Sequence, residues 1–117
     1  MARLLLPLFL AFMLGGCDIV SCRNEVLDVA LSPDGRHAAF VFRRDCGATT
    51  GFSTHVSLAA DAGILPNETG NILILGDEPA SLTWLGRDQL QITYRPGAHP
   101  TLQASRQDGV QISYRTF

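Results

Sequence analysis

Polar and apolar residues alternate through most of this chain, and turn signals break the alternation about every eight to twelve residues. Leu90, Ile92 and Tyr94 alternate with Gln89, Gln91 and Thr93; Val110, Ile112 and Tyr114 alternate with Gln111, Ser113 and Arg115. Thr54, Val56 and Leu58 share one face, and Ser53, His55 and Ser57 the other. A period of two places successive side chains on opposite faces of a strand. Ser32-Pro33-Asp34-Gly35 reads as a tight turn: proline sets φ, aspartate bonds its own backbone and glycine takes a positive φ. Gln107-Asp108-Gly109 reads as a hairpin turn. Strands are expected over Val26 to Leu31, Arg36 to Arg43, Ser53 to Ala60, Asn71 to Leu75, Ser81 to Leu85 and Gln89 to Tyr94. His99 to Ser105 is a weaker strand, and a last one starts at Val110. The segments Arg44 to Phe52 and Asp61 to Gly70 read as connections. No segment after residue 16 has a helical period. The expectation is one all-β domain over 26–117, a small antiparallel meander or sandwich.

The amino end differs. Arg3 precedes an apolar run from Leu4 to Leu14, then come Gly15, Gly16 and Cys17. As a helix the run is about 16 Å long, against a hydrocarbon core of about 30 Å. It is too short to span and reads as a helical secretory signal over 1–16. Leu14-Gly15-Gly16-Cys17 resembles the lipobox of bacterial lipoproteins. The resemblance implies a diacylglycerol on the Cys17 sulfur, cleavage before Cys17 and acylation of the new amine. Residues 17–25 would then be a lipidated tether holding the domain on the periplasmic side of a bacterial membrane. Stable anchoring needs more than one acyl chain, each buried CH₂ contributing about 0.8 kcal/mol. Two or three chains on Cys17 meet that need. Asp18 resembles a signal that retains lipoproteins in the inner membrane. A soluble export signal with an incidental cysteine is the rival reading.

Removal of residues 1–16 from the 117 leaves 101, enough for one small domain with a modest core. The formal charge of −2 falls to −3 when Arg3 is lost, which gives no electrostatic footprint for nucleic acid. All nine basic residues are arginine. That excludes a P-loop lysine, a Schiff-base lysine and a Ser-Lys pair.

With Cys17 assigned to lipid, Cys22 and Cys46 are left as a pair. In an oxidising envelope such a pair in a small domain reads as a disulfide. Closing that loop is worth about 3.5 kcal/mol in the chain-entropy model. A Cys/His metal site is the alternative, but the pair lacks CxxC spacing and His37 stands alone between them. No metal or cofactor is expected.

The densest unusual stretch runs Arg43-Arg44-Asp45-Cys46-Gly47-Ala48-Thr49-Thr50-Gly51-Phe52-Ser53-Thr54. Exposed amides and hydroxyls around Gly47, Thr49, Thr50 and Gly51, with Arg43, Arg44 and Asp45 beside them, make a candidate binding loop for an anion or a peptide carboxylate. In the plainer reading the glycines supply positive φ, the threonines bond local backbone and Cys46 pins the loop. The string, with the upstream SPDG turn and strand, resembles a family of small bacterial lipoproteins. The resemblance covers most of the domain; it implies placement and fold and no activity, substrate or cofactor. The segments starting at Ser32 and Trp84 also resemble hairpins of β-propeller blades, without room for a closed ring.

Catalytic signals are thin. His37, His55 and His99 are far apart, and no G-x-S-x-G elbow is present. His55 reads as a surface residue on a polar strand face. Asp77-Glu78 reads as a solvated turn, and Trp84 and Tyr94 as core or hydrogen-bonded rim residues. The expected role is a non-enzymatic, lipid-anchored module that binds an envelope protein or other envelope component. Inhibition of a hydrolase such as lysozyme and a small periplasmic enzyme are the alternatives.

Overall fold

The computed structural model describes residues 21–47, 51–60 and 63–117. The fold is all-β, in two packed sheets. The first sheet has the order β1-β2-β3-β4-β7, with β1 Arg23–Leu31, β2 His37–Asp45, β3 Phe52–Ala60, β4 Leu73–Leu75 and β7 Leu102–Gln103. The second has the order β5-β6-β9-β8, with β5 Ala80–Gly86, β6 Gln89–Tyr94, β8 Arg106–Gln107 and β9 Val110–Thr116.

The alternation sorts side chains as the sequence implies. Ala39, Val41, Val56, Leu58, Leu73 and Leu75 of the first sheet meet Leu90, Ile92, Val110 and Ile112 of the second in one core. Burying such aliphatic side chains contributes roughly 1.5–3 kcal/mol each. Trp84, Tyr94 and Tyr114 pack at its margin. The Tyr114 hydroxyl donates to the Ala104 carbonyl, and burial pushes its pKa up to about 12. The sandwich, rather than a single-sheet meander, is the outcome.

Three details depart from the sequence reading. Arg23, Asn24 and Glu25, expected in the tether, begin β1. Arg44 and Asp45, expected in a loop, end β2. One pair, β6 with β9, is parallel; every other pair is antiparallel. The chain leaving β6 crosses to the first sheet, adds β7 beside β4, and returns through β8 to β9. That excursion reverses the direction of the last strand and ties the two sheets together.

The turns follow their residues. Gly35 has φ +73° and its amide donates to the Ser32 carbonyl at 2.9 Å. Asp108 and Gly109 have φ of 51° and 80°, and Gln107 pairs with Val110. Two positive φ values in a two-residue loop define a hairpin turn whose twist matches its strands. Cys22 and Cys46 lie at disulfide distance, with sulfurs 2.11 Å apart, and join the start of β1 to the end of β2.

Candidate functional site

The most unusual surface lies along β1, the edge strand of the first sheet. Val26, Leu27, Val29 and Leu31 are each about half exposed. A soluble domain rarely leaves four large apolar side chains on one free edge, because such an edge invites association. A β-bulge explains how they gather. The register with β2 shifts between Val26 and Asp28, so Val26 pairs with Phe42, Val29 with Phe40 and Leu31 with Ala38. Paired residues share a face. The extra residue, Leu27, therefore brings Val26 and Val29 to the same side, where an unbroken strand would separate them.

That side is the outer face of the first sheet. Ala38, Phe40 and Phe42 are buried there in a second small core, flanked by Ala59 of β3 and covered by Leu65. The cover comes from the connection between β3 and β4. It is bonded to the start of β1: Asn24 Nδ2 donates to the carbonyls of Pro66 and Glu68, and Asn67 Nδ2 donates to the Cys22 carbonyl at 3.0 Å. It leaves Val26, Val29 and Leu31 about half exposed. Ile64, in the same connection, is 92% exposed. A hollow of about 410 Å³ beside Val26, Phe40, Ile64 and Leu65 continues the strip.

The edge backbone is partly closed. The Val29 amide donates to the Asp28 carboxylate at 2.9 Å, and Trp84 Nε1 donates to the Ala30 carbonyl at 3.0 Å. The strip therefore offers side chains more than a ladder for another strand.

The loop singled out in the sequence is differently engaged. Arg44 Nη1 donates to Asn24 Oδ1 at 2.7 Å and to Asn67 Oδ1 at 3.1 Å, bridging β1 to the covering connection. Arg43 lies 4.8 Å over the Phe52 ring and 4.0 Å from Glu25. Asp45 Oδ1 accepts from the Gly47 amide, and Gly47 and Gly51 have φ of 124° and 71°. These contacts engage Arg43, Arg44 and Asp45 within the fold, and Gly47 and Gly51 take the positive φ expected of them. Cys17, Thr49 and Thr50 lie outside the described residues.

His55, expected at the surface, is buried. It stacks on Phe42 with ring centroids 5.3 Å apart. Its Nδ1 accepts the Gly70 amide at 2.8 Å, so Nε2 carries the hydrogen and donates to Ser53 Oγ at 2.8 Å. Burial, with Arg44 nearby, pulls its pKa below the usual histidine value. Gly70 is fixed by this contact, since a Cβ there would meet the Val56 carbonyl oxygen at 2.8 Å and His55 Cβ at 2.9 Å. Together they clamp the cover onto the sheet.

A hollow of about 710 Å³ lies where three turns converge, lined by Asp34, Arg36, His37, Arg87, Asp88 and Asp108. Asp34 accepts from Ser32 Oγ at 2.7 Å and from the Arg36 amide at 3.1 Å, which lowers its pKa. Ser32 Oγ also accepts from the His37 amide. His37 Nε2 is 3.4 Å from Asp108 Oδ2, and its ring stacks near Trp84. Ser32 is thus engaged in the turn and is not poised as a nucleophile beside His37. The arrangement clasps one sheet to the other. Among the described residues no three His, Cys, Asp or Glu side chains converge as a metal site.

No family model, curated protein or solved structure matches this chain.

Proposed function

We propose that this chain is a lipid-anchored protein of the bacterial envelope that docks a partner protein on its β1 strip. Acyl chains on Cys17 would hold it to the membrane, and the domain would face the periplasm. The observation that carries the docking role is the row Val26, Leu27, Val29 and Leu31, exposed along one edge. Apolar side chains left out of an otherwise filled core are where association gains most by excluding water. The role is non-enzymatic: the strip holds no titratable or nucleophilic side chain except Asp28, whose carboxylate is bonded to the next amide.

Intact-mass analysis of the membrane-extracted protein tests the anchor. The expected product starts at Cys17 and carries added lipid mass; an intact Met1 terminus overturns it. A photo-crosslinking residue at Leu27 in intact cells tests docking. The expected result is a discrete protein adduct that Val29→Asp abolishes, whereas the same probe at Thr101, at the opposite edge of the first sheet, gives none. Equal labelling at both positions overturns the assignment of β1.

A further inference from the structure

The outer face of the second sheet carries a regular grid of polar side chains. Across its strands the register aligns Ser81 with Thr93 and Arg115, then Thr83 with Gln91 and Ser113. A third row aligns Gly86 with Gln89, Gln111 and Arg106. The opposite parity, Leu82, Trp84, Leu90, Ile92, Val110 and Ile112, faces the core. The grid is therefore a consequence of the same alternation that fills the sandwich.

Two properties set it apart. It has hydroxyls, amides and two guanidiniums, and no carboxylate. Among the described residues, none of its side chains makes a hydrogen bond or ion pair, unlike Asn24, Arg44, His55 and Asn71 of the first sheet. Arg106 and Arg115 stand at opposite ends of the grid. A hollow of about 520 Å³ opens beside Leu85, Gln89, Arg106, Gln111 and Ser113, and Leu85 is 54% exposed.

We propose that this face binds a glycan chain that bears carboxylate groups. Hydroxyl and amide side chains each donate and accept, which matches the dense hydroxyls and acetamides of a sugar chain. Guanidiniums pair with carboxylates through two parallel hydrogen bonds, and no acidic side chain on the face opposes them. Leu85 supplies an apolar surface for the C–H side of a ring. Two strand spacings come to about 10 Å, close to the length of a β-1,4-linked disaccharide lying across the strands. Paired strands fix the spacing of the rows, and the unbonded side chains are free to turn toward a ligand. The assignment does not depend on the β1 strip or on the anchor.

The test is co-sedimentation of the full-length protein, in detergent, with three insoluble polysaccharides. These are peptidoglycan sacculi, calcium-gelled alginate and uncharged chitin. The expected result is binding to sacculi or to alginate above chitin, the preferred matrix identifying the source of the carboxylates. Gln91→Glu with Arg115→Glu is expected to weaken binding by about tenfold or more, a loss of about 1.4 kcal/mol or greater. Val29→Asp, on the other sheet, is expected to leave it unchanged. Thermal melts check that the variants stay folded, and the milder pair Gln91→Ala with Arg115→Gln serves if the acidic pair does not fold. Absence of binding to every matrix, chitin binding as strong as the others, or binding indifferent to both pairs overturns the proposal.

Discussion

The two outward faces of the sandwich use polar residues in opposite ways. On the first sheet, His55, Asn71, Arg44 and Asn24 are engaged in internal hydrogen bonds that fasten a connection over Phe40 and Phe42. The exposed remainder there is apolar, along β1. On the second sheet the apolar side chains other than Leu85 are directed inward, and the polar ones stand unpaired in rows. The difference teaches that one period-two pattern gives an interior face or an exterior face according to whether a later segment covers it.

Breaking the cover should therefore cost far more than altering the bare face. The largest effect is expected for Cys22→Ser with Cys46→Ser, which frees the start of β1 from the end of β2. Loop-closure entropy puts the loss at about 3.5 kcal/mol, read as a lower denaturant midpoint. Gly70→Ala comes next, at roughly 1–3 kcal/mol, because the new methyl meets backbone that cannot rotate away. An unchanged melting temperature would show that the clamp is not as tight as its contacts.

A pH titration sharpens the same contrast. His55 has a folded pKa below its unfolded value of 6.5. As pH falls below that value the unfolded chain takes up the proton first, so stability falls until folded His55 also protonates. His55→Gln should lower stability at neutral pH and flatten the slope below about pH 6.5. A slope identical to the parent's would assign the acid sensitivity to another group. The smallest effects belong to the bare face: Thr83→Ala and Ser113→Ala should each change stability by less than about 0.5 kcal/mol.

Much of the fold could be read before any coordinates. The alternation in β6 and β9, the Asp108-Gly109 hairpin and the pairing of Cys22 with Cys46 all follow from local residue chemistry. The parallel pairing of β6 with β9 was not legible, because alternation is the same whichever way the neighbour runs. His55 was misplaced for a related reason. Ser53, His55 and Ser57 look like a solvated face, and only the distant Gly70 connection makes it an interior. The β1 strip was equally hidden: residues 26 and 29 share a face only through the bulge at Leu27. The loop from Arg43 to Gly51 drew notice for its composition, yet Arg44 is held by two asparagines remote in sequence.

Trp84 is the chain's sole indole. It reaches from β5 to the Ala30 carbonyl of β1 and lies beside the His37 ring, so it straddles the seam between the layers. Its emission is a built-in optical gauge. If the layers part before either melts, the fluorescence will move to longer wavelength while the far-ultraviolet dichroism still reports intact strands.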